Sequence, residues 1–332
     1  MTLNASPLAT ALLTAATAFF CALLTPAAHA APALPNGWQA PLNRDNPLVG
    51  RIWSVKEGNF VSPDELAADV ASAHFVLAGE THDNPDHHLR QAWIVSVLAD
   101  AGRKPAVVYE MIPADKAAAL ANYLATSPED GSGMGKALDW EASGWPAWSI
   151  YQPIADAALA ARMPMAAGDL SHEVLKDFRT DGLAALGEGI PQKWRISTPL
   201  DEAGLETLKQ DLRDGHCGLL PEPAVDAMVP IQRARDASLA DGMIEHATAD
   251  GAVLIAGRGH VRADMAAPWY LRERATNASM LIVAMMEAEA GETEPADYLP
   301  APGLYDYIWF TPKAERADKC AELRERFKPK KD

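Results

Sequence analysis

Two motifs of the form Gly-x-x-His each follow an apolar run that is typical of a buried strand. The first, Gly79-Glu80-Thr81-His82, follows residues 74–78, and the second, Gly257-Arg258-Gly259-His260, follows residues 252–256. Parallel strands end along one edge of a sheet, where open α/β folds bind their ligands. The two histidines are therefore expected to lie near each other although they are far apart in the sequence.

Two further apolar runs end in a carboxylate at the same predicted edge. Residues 105–109 lead into Glu110, and residues 163–168 lead into Asp169. We call the five side chains expected to converge there the strand-edge cluster: Glu80, His82, Glu110, Asp169 and His260. His82 and His260 are of the type that zinc, manganese or cobalt accepts, and the carboxylates could complete a metal shell or activate a bound water. Without a metal, His82 could itself activate water that Glu80 and Glu110 orient.

Other polar side chains could support this cluster. Adjacent residues on a helix point about 100° apart, so at most one of His87 and His88 is expected to face the cluster, and the other to be solvated. Arg235 and Asp236 lie on a predicted helix. They could form an ion pair at the surface, or Arg235 could bind the carboxylates of the strand-edge cluster. The supporting candidates are His87, His88, His216, Arg235 and Asp236.

The elements that must position these residues alternate between strand and helix patterns. We predict an α/β fold with a mainly parallel central sheet flanked by helices, and a helical excursion over about 171–248 in the middle of the chain. Strand patterns resume near 252 and 280. The predicted segments are a signal peptide at 1–30, an extended leader at 31–50, the α/β domain at 51–312 and a basic C-terminal tail at 313–332.

Charge and targeting signals limit the expected partners and cellular location. The formal net charge is −16 without a basic stripe, which argues against nucleic acid as a partner. Residues 8–28 are uncharged and apolar, and they lead into Ala28-His29-Ala30, the small-x-small pattern of a cleavage site. Export, to the periplasm or the outer membrane, is expected. Cys217 and Cys320 remain after cleavage, and the sequence leaves open whether they pair.

Five ordered segments carry a family resemblance. The segments are Gly79–Asn84 with His87, His88 and Gln91, then Ser143–Pro153, His216–Gly218, Ile231–Asp236 and Gly257–Arg262. Together they resemble the ChaN-like haem-binding proteins of bacterial iron uptake, which belong with the Tiki, TraB and erythromycin-esterase-like proteins. Two features depart from the family pattern: Cys21 follows Phe19-Phe20 rather than a lipidation signal, and Tyr109 precedes Glu110.

The resemblance implies an exported protein that binds haem through a tyrosine, in a pocket completed by a homodimer. A haem-uptake outer-membrane receptor or transport components would be its partners. The resemblance points to Tyr151 for the axial oxygen. By residue type, Trp145 and Trp148 (beside Trp140) could form apolar walls, and Arg258 and Arg262 could meet the propionates, with Arg233 and Arg235 as further cations. The alternative is a metal-dependent hydrolase or protease of the Tiki type, with His82 and His260 as metal ligands.

Overall fold

The computed structural model describes residues 1–2, 31–299 and 303–326. These residues form eight strands in one sheet and eleven α-helices. The predicted signal peptide lies almost wholly in residues 3–30, outside the described part. Within the described residues, none of the helices combines the length and the apolar character that a membrane span needs.

The sheet is mainly parallel, as predicted. Its strand order is β2-β1-β8-β7-β3-β6-β4-β5. All neighbours from β8 to β5 pair in parallel, whereas β1 pairs antiparallel with both β2 and β8. The strands are β1 Ile52–Ser54, β2 Asn59–Val61, β3 Phe75–Glu80, β4 Ala106–Pro113, β5 Met165–Asp169, β6 Ala252–Gly257, β7 Met280–Glu287 and β8 Tyr307–Thr311.

Helices cover both faces of the sheet. The predicted helical excursion is confirmed as α6 to α9, which lie between β5 and β6 in the sequence. The helices are α1 Pro63–Ser72, α2 Pro85–Asp100, α3 Ala117–Thr126, α4 Met134–Ala137, α5 Trp148–Ala160, α6 His172–Asp181, α7 Ile190–Lys193, α8 Glu202–Gly215, α9 Glu222–His246, α10 Ala267–Arg274 and α11 Lys319–Arg326.

Alternate residues of the central strands pack into two separate hydrophobic cores, one on each face of the sheet. In β3, Val76 packs with α1, α2 and α5 on one face, and Leu77 packs with α9 and α10 on the other. All six residues of β3 and of β6 are buried, which explains why their sequences read as continuous apolar runs rather than alternating ones. Two covered faces leave the strand ends as the open part of the sheet.

Capping residues fix where the helices nearest that edge begin. Asn84 caps α2 by accepting the backbone N–H of Asp86, and Pro85 occupies the first turn. Ser171 caps α6 in the same way, through the N–H of Val174. The chain therefore turns into α2 directly after His82, and into α6 directly after Asp169.

The leader and the tail are tied to the domain. In the leader, Gln39 and Ala40 donate backbone N–H groups to the carboxylate of Asp86 at 3.0 and 2.9 Å. The first part of the tail is bonded to the domain through Arg316 and Cys320. Arg316 bonds both Asp83 and Glu287, and Cys320 forms a disulfide with Cys217.

Candidate functional site

The strand-edge cluster forms because β3, β6, β4 and β5 are consecutive neighbours in the sheet. Glu80 and Asp169 end β3 and β5, Glu110 lies within β4, and His260 follows β6. Arg235 of α9 reaches over this edge and bonds Asp169 at 2.6 Å and Glu110 at 2.9 Å. Of the two alternatives for Arg235, the structure shows the brace between carboxylates rather than the surface pair.

His260 is enclosed by two carboxylates. Its Nδ1 lies 2.6 Å from Asp236 Oδ1, and its Nε2 lies 3.1 Å from Glu110 Oε1. Burial opposes the charged form, but Glu110 and Asp236 outweigh it and raise the pKa of His260 to about 10. With both ring nitrogens donating, His260 is an imidazolium that holds the cluster together.

Glu110 is fixed from three sides. Besides His260 and Arg235, its Oε2 accepts the backbone N–H of Gly257 at 2.7 Å. Burial raises the pKa of Glu110, yet the charges of His260 and Arg235 prevail and hold it well below the usual range. Glu110 is therefore a permanent carboxylate at neutral pH, already satisfied by its partners.

His82 is the accessible imidazole of the cluster. Its side chain is 38% exposed, and its Nδ1 lies 2.6 Å from Glu80 Oε1. Burial lowers the pKa of His82, but the carboxylate of Glu80 reverses this and raises it. Oε2 of Glu80 is buried without a hydrogen-bond partner, so this carboxylate serves His82 alone. Nε2 of His82 makes no hydrogen bond within the described residues, and it is the nitrogen open to a ligand.

The glycines of the two motifs permit this approach. A Cβ added to Gly257 would lie 2.7 Å from Cε1 of His82, and one added to Gly79 would lie 2.3 Å from Cγ2 of Val261. Only a glycine leaves room for the His82 ring on one strand end and for the 3-10 turn Arg258–Val261 on the other.

A clamp of buried polar groups holds the His82 backbone. The carbonyl oxygen of His82 accepts bonds from the Tyr151 hydroxyl at 3.1 Å and from Nε2 of His88 at 3.0 Å. His88 also contacts Gln91, whose amide nitrogen donates to the Ala78 carbonyl in β3. This clamp (Tyr151, His88 and Gln91) sets the position of His82 from beneath.

His87 has a structural role as well. Its Nδ1 accepts the Thr81 N–H at 2.8 Å, and its Nε2 faces the Thr311 hydroxyl at 2.7 Å. Burial drives the pKa of His87 well below its usual value, so the ring is neutral. The expectation that either His87 or His88 is solvated is wrong, because both are fully buried in α2.

Tyr151 does not present an oxygen to an open surface. Its ring is fully buried between His88 and Trp140, and its hydroxyl is used by His82. The raised pKa that burial gives Tyr151 also opposes a tyrosinate. In this structure Tyr151 serves the clamp and does not face an open pocket.

The tryptophans divide into two groups. Trp145 is half-buried and meets the His82 ring edge-on at 4.7 Å between centroids. Trp148 packs against Trp140 and Gly135, and its indole N–H donates to the Gly131 carbonyl. Trp145 therefore remains a candidate apolar wall beside the cluster, whereas Trp148 is engaged in packing.

Arg258 and Arg262 line a cleft of 430 Å³ next to Thr81. Arg262 is paired with Asp264 at 2.8 Å, while Arg258 has no hydrogen bond or ion pair within the described residues. Arg233 is committed to Tyr270 and the Thr198 carbonyl. Arg258 is thus the cation left free to meet an anionic group.

His216 and a second cleft lie away from the strand-edge cluster. His216 follows α8 and donates to the Leu212 carbonyl at 2.8 Å. A second cleft, of 240 Å³, lies at the end of β4 and is lined by Met111, Leu138 and Trp140 among others. Neither His216 nor this cleft shares a hydrogen bond with the strand-edge cluster in the described part of the chain.

The metal interpretation is not supported. Among the described residues, no group of three or more His, Cys, Asp or Glu side chains is arranged to hold a metal ion. His260, one of the two predicted ligands, has both nitrogens facing carboxylates. His82 alone cannot supply the three protein ligands of a usual catalytic zinc site.

Sequence reasoning missed several site residues. Gln91 was noted only as part of a motif, and Tyr305, which lines the same cleft as Arg258, was not singled out. Asp83 was not recognised as the partner of Arg316. A buried-strand pattern at Tyr307–Thr311 is the signal that could have directed attention to Tyr305.

Comparison with known proteins identifies the family. A family model described as "Haem-binding uptake, Tiki superfamily, ChaN" matches residues 66–271. None of the curated proteins matches the chain.

The chain is similar to several solved structures. ChaN of Campylobacter jejuni, solved for cofacial haem binding, is 17% identical with a TM-score of 0.58, covering 78% of this chain and 95% of that one. The type III effector HopBA1 is 13% identical with a TM-score of 0.40, covering 75% and 93%. A mutant of the erythromycin esterase EreC, in an open conformation, is 15% identical with a TM-score of 0.40, covering 83% and 87%. The likeness to ChaN of Campylobacter jejuni shows a shared fold. Because the family model spans more than half of the chain, this protein belongs to the ChaN family of the Tiki superfamily, described as haem-binding uptake proteins.

Proposed function

We propose that this protein binds haem at the carboxyl edge of the sheet. The observation that carries the proposal is the match of the haem-binding ChaN family model to residues 66–271. That segment contains both Gly-x-x-His motifs, the whole strand-edge cluster and Trp145.

The side chains at this edge fit haem in kind. Haem supplies a ferric iron that takes imidazole or phenolate as axial ligand, two apolar faces, and carboxylates that need cations. Trp145 offers a flat apolar surface, Nε2 of His82 is open, and Arg258 is an unpaired cation. Glu80 accepts from Nδ1 of His82, the arrangement that leaves the other nitrogen free and raises its basicity as a ligand. We propose His82 as the iron-facing residue.

The cellular role belongs to the same proposal. We infer that the protein is exported to the periplasm or the outer membrane, and that it handles haem for iron uptake with a receptor or transport components. The apolar, uncharged N-terminal stretch and the family description are what support this role. We also propose that haem is shared within a homodimer, because one exposed edge covers only part of so large a planar ligand.

A hemin titration tests the proposal. We expect a saturable Soret band in the wild-type protein, a weakened or shifted band in His82→Ala, and an unchanged band in Tyr151→Phe. Tyr151→Phe removes one hydrogen bond to the His82 carbonyl, so it should lower the free energy of unfolding by about 1 kcal/mol.

The two variants separate the hypotheses. Absence of any saturable change in the wild type removes haem binding. Loss of the wild-type spectrum in Tyr151→Phe, with His82→Ala unaffected, would restore the sequence-based assignment of Tyr151 and overturn ours. Sedimentation of the protein with and without hemin checks the dimer, which should form only when hemin is present.

A further inference from the structure

One cleft at the strand edge lies beside the cluster and has a chemistry of its own. It is lined by residues from four places in the sequence: the loop after β3, the turn after β6, the end of β7 with the segment after it, and the two flanks of β8. We call it the arginine cleft, and the residues that matter to it are Thr81, Arg258, Arg262, Glu292, Tyr305 and Arg316. Its volume of 430 Å³ lies within the range of small-molecule sites, about 300–1,000 Å³.

Most charges that line the arginine cleft are already neutralised. Arg316 bonds Asp83 and Glu287, and Arg262 bonds Asp264. Glu289, also at the cleft, is bonded by Lys313 at 2.7 Å. Arg258 and Glu292 are left, and neither forms an ion pair within the described residues. The cleft thus keeps one cation unused, on the turn that also carries His260.

Tyr305 adds an unused donor. Its side chain is only 5% exposed, and its hydroxyl has no hydrogen-bond partner among the described residues, although it lines the arginine cleft. Burial raises the pKa of Tyr305 despite the opposing charges of Arg258 and Arg262. The phenol therefore stays protonated, and its hydroxyl at the cleft can donate to a ligand that enters there.

The guanidinium of Arg258 and the phenol O–H of Tyr305 together determine what kind of ligand the cleft can bind. Both are donors, so the group that satisfies them is an acceptor with more than one oxygen and a negative charge. A carboxylate meets this requirement and matches the planar fork of an arginine.

We propose that the arginine cleft binds a carboxylate, with Arg258 as its ion-pair partner and Tyr305 as its hydrogen-bond donor. This deepens the proposed function, because it rests on haem being the ligand if the carboxylate is a propionate. A free small carboxylate would use the same chemistry, and the test below distinguishes the two sources.

The first arm compares hemin with hemin dimethyl ester, which lacks the charged carboxylates. We expect wild-type protein to bind hemin about tenfold more tightly than the ester, since a charge-assisted bond contributes about that factor. Arg258→Gln should remove this preference, and Tyr305→Phe should reduce it. Arg179→Gln, an exposed arginine on α6, removes the same charge elsewhere and should leave the preference intact.

The second arm uses free carboxylates and phosphate with no haem present. If malonate raises the melting temperature of the wild type but not of Arg258→Gln, the cleft takes small carboxylates. An equal response to phosphate would overturn the carboxylate assignment in favour of a general anion site. Glu292→Gln removes the unpaired negative charge of the cleft and should tighten binding of either anion.

The outcomes separate the two proposals. If hemin and its ester bind equally and Arg258→Gln changes neither, the cleft inference fails while haem binding stands. If hemin never saturates but malonate stabilises the protein through Arg258, haem binding fails while the cleft stands. If neither ligand acts, both are overturned. Circular dichroism of each variant, with Arg258→Lys as a conservative rescue, keeps loss of folding apart from loss of binding.

Discussion

At the scale of single residues, the site contains one imidazole with an unbonded ring nitrogen and three imidazoles whose nitrogens are hydrogen-bonded. Of the four described histidines at the site, only His82 keeps a ring nitrogen without a hydrogen bond, while His87, His88 and His260 bond to neighbouring groups of the protein. Sequence reasoning could identify which residue types converge, because strand ends in a parallel sheet share an edge. It could not tell which histidine stays open, since that depends on which carboxylates and carbonyls happen to lie opposite each nitrogen.

The charge of His260 makes the stability of the protein depend on pH. Its pKa is raised to about 10 in the folded state, against about 6.5 when unfolded. A raised pKa stabilises the fold fully below the unfolded value and loses that effect as the pH rises through the folded value. We therefore expect the free energy of unfolding to fall between about pH 6.5 and 10. Urea unfolding across this range measures it.

His260→Gln provides the control for that profile. It leaves Glu110 and Asp236 buried with one counter-charge fewer, which should cost about 3–5 kcal/mol at neutral pH. The same variant should lose most of the alkaline decline. A variant with the wild-type profile would show that another group titrates there.

At the scale of elements, apolar runs ending in glycine were enough to predict β3, β6 and the edge between them. The antiparallel hairpin of β1 and β2, and its partner β8, were harder to predict, because these strands are short and their pairing joins opposite ends of the domain. The inward direction of Tyr151 was hard to predict for a similar reason. The helix α5 turns this residue inward against α2, a direction that only the packing of the two helices decides.

Two glycines, one at the end of β6 and one in the turn after it, offer a test of how strand and turn position His82. Gly257→Ala would place a methyl group 2.7 Å from Cε1 of His82, so the ring must move. We expect a loss of hemin affinity larger than about tenfold, with a smaller effect on stability because this ring is partly exposed. Gly259→Ala, two residues later with nothing within 4 Å, is the matched control. Equal affinities for the two variants would mean that the His82 ring is not placed by Gly257.

At the scale of the whole molecule, the disulfide between Cys217 and Cys320 joins the helical excursion to the C-terminal segment. The bond spans 103 residues, so it restricts the unfolded chain strongly. Reduction, or the double change Cys217→Ser with Cys320→Ser, should lower the free energy of unfolding by about 2–4 kcal/mol. Denaturant midpoints with and without reductant measure this.

A variant near the disulfide shows whether the bond stabilises the protein by restricting the unfolded chain or by holding native contacts in place. Arg316→Gln cuts the bonds to Asp83 and Glu287 but leaves the disulfide in place. If the disulfide acts on the unfolded chain, reduction should destabilise Arg316→Gln as much as the wild type. If reduction destabilises the variant much less than the wild type, the disulfide acts instead by keeping Arg316 in position to bond Asp83 and Glu287.

The order of strands also bears on when the molecule can fold during its synthesis. The hairpin of β1 and β2 is made first, yet its place in the sheet is beside β8, the last strand of the described chain. A nascent chain that has not yet emerged beyond residue 307 therefore lacks the strand that attaches this hairpin to the sheet. Completion of the sheet must therefore wait until β8 has been synthesised, although β3, β6, β4 and β5 are all neighbours in the sheet and are made earlier.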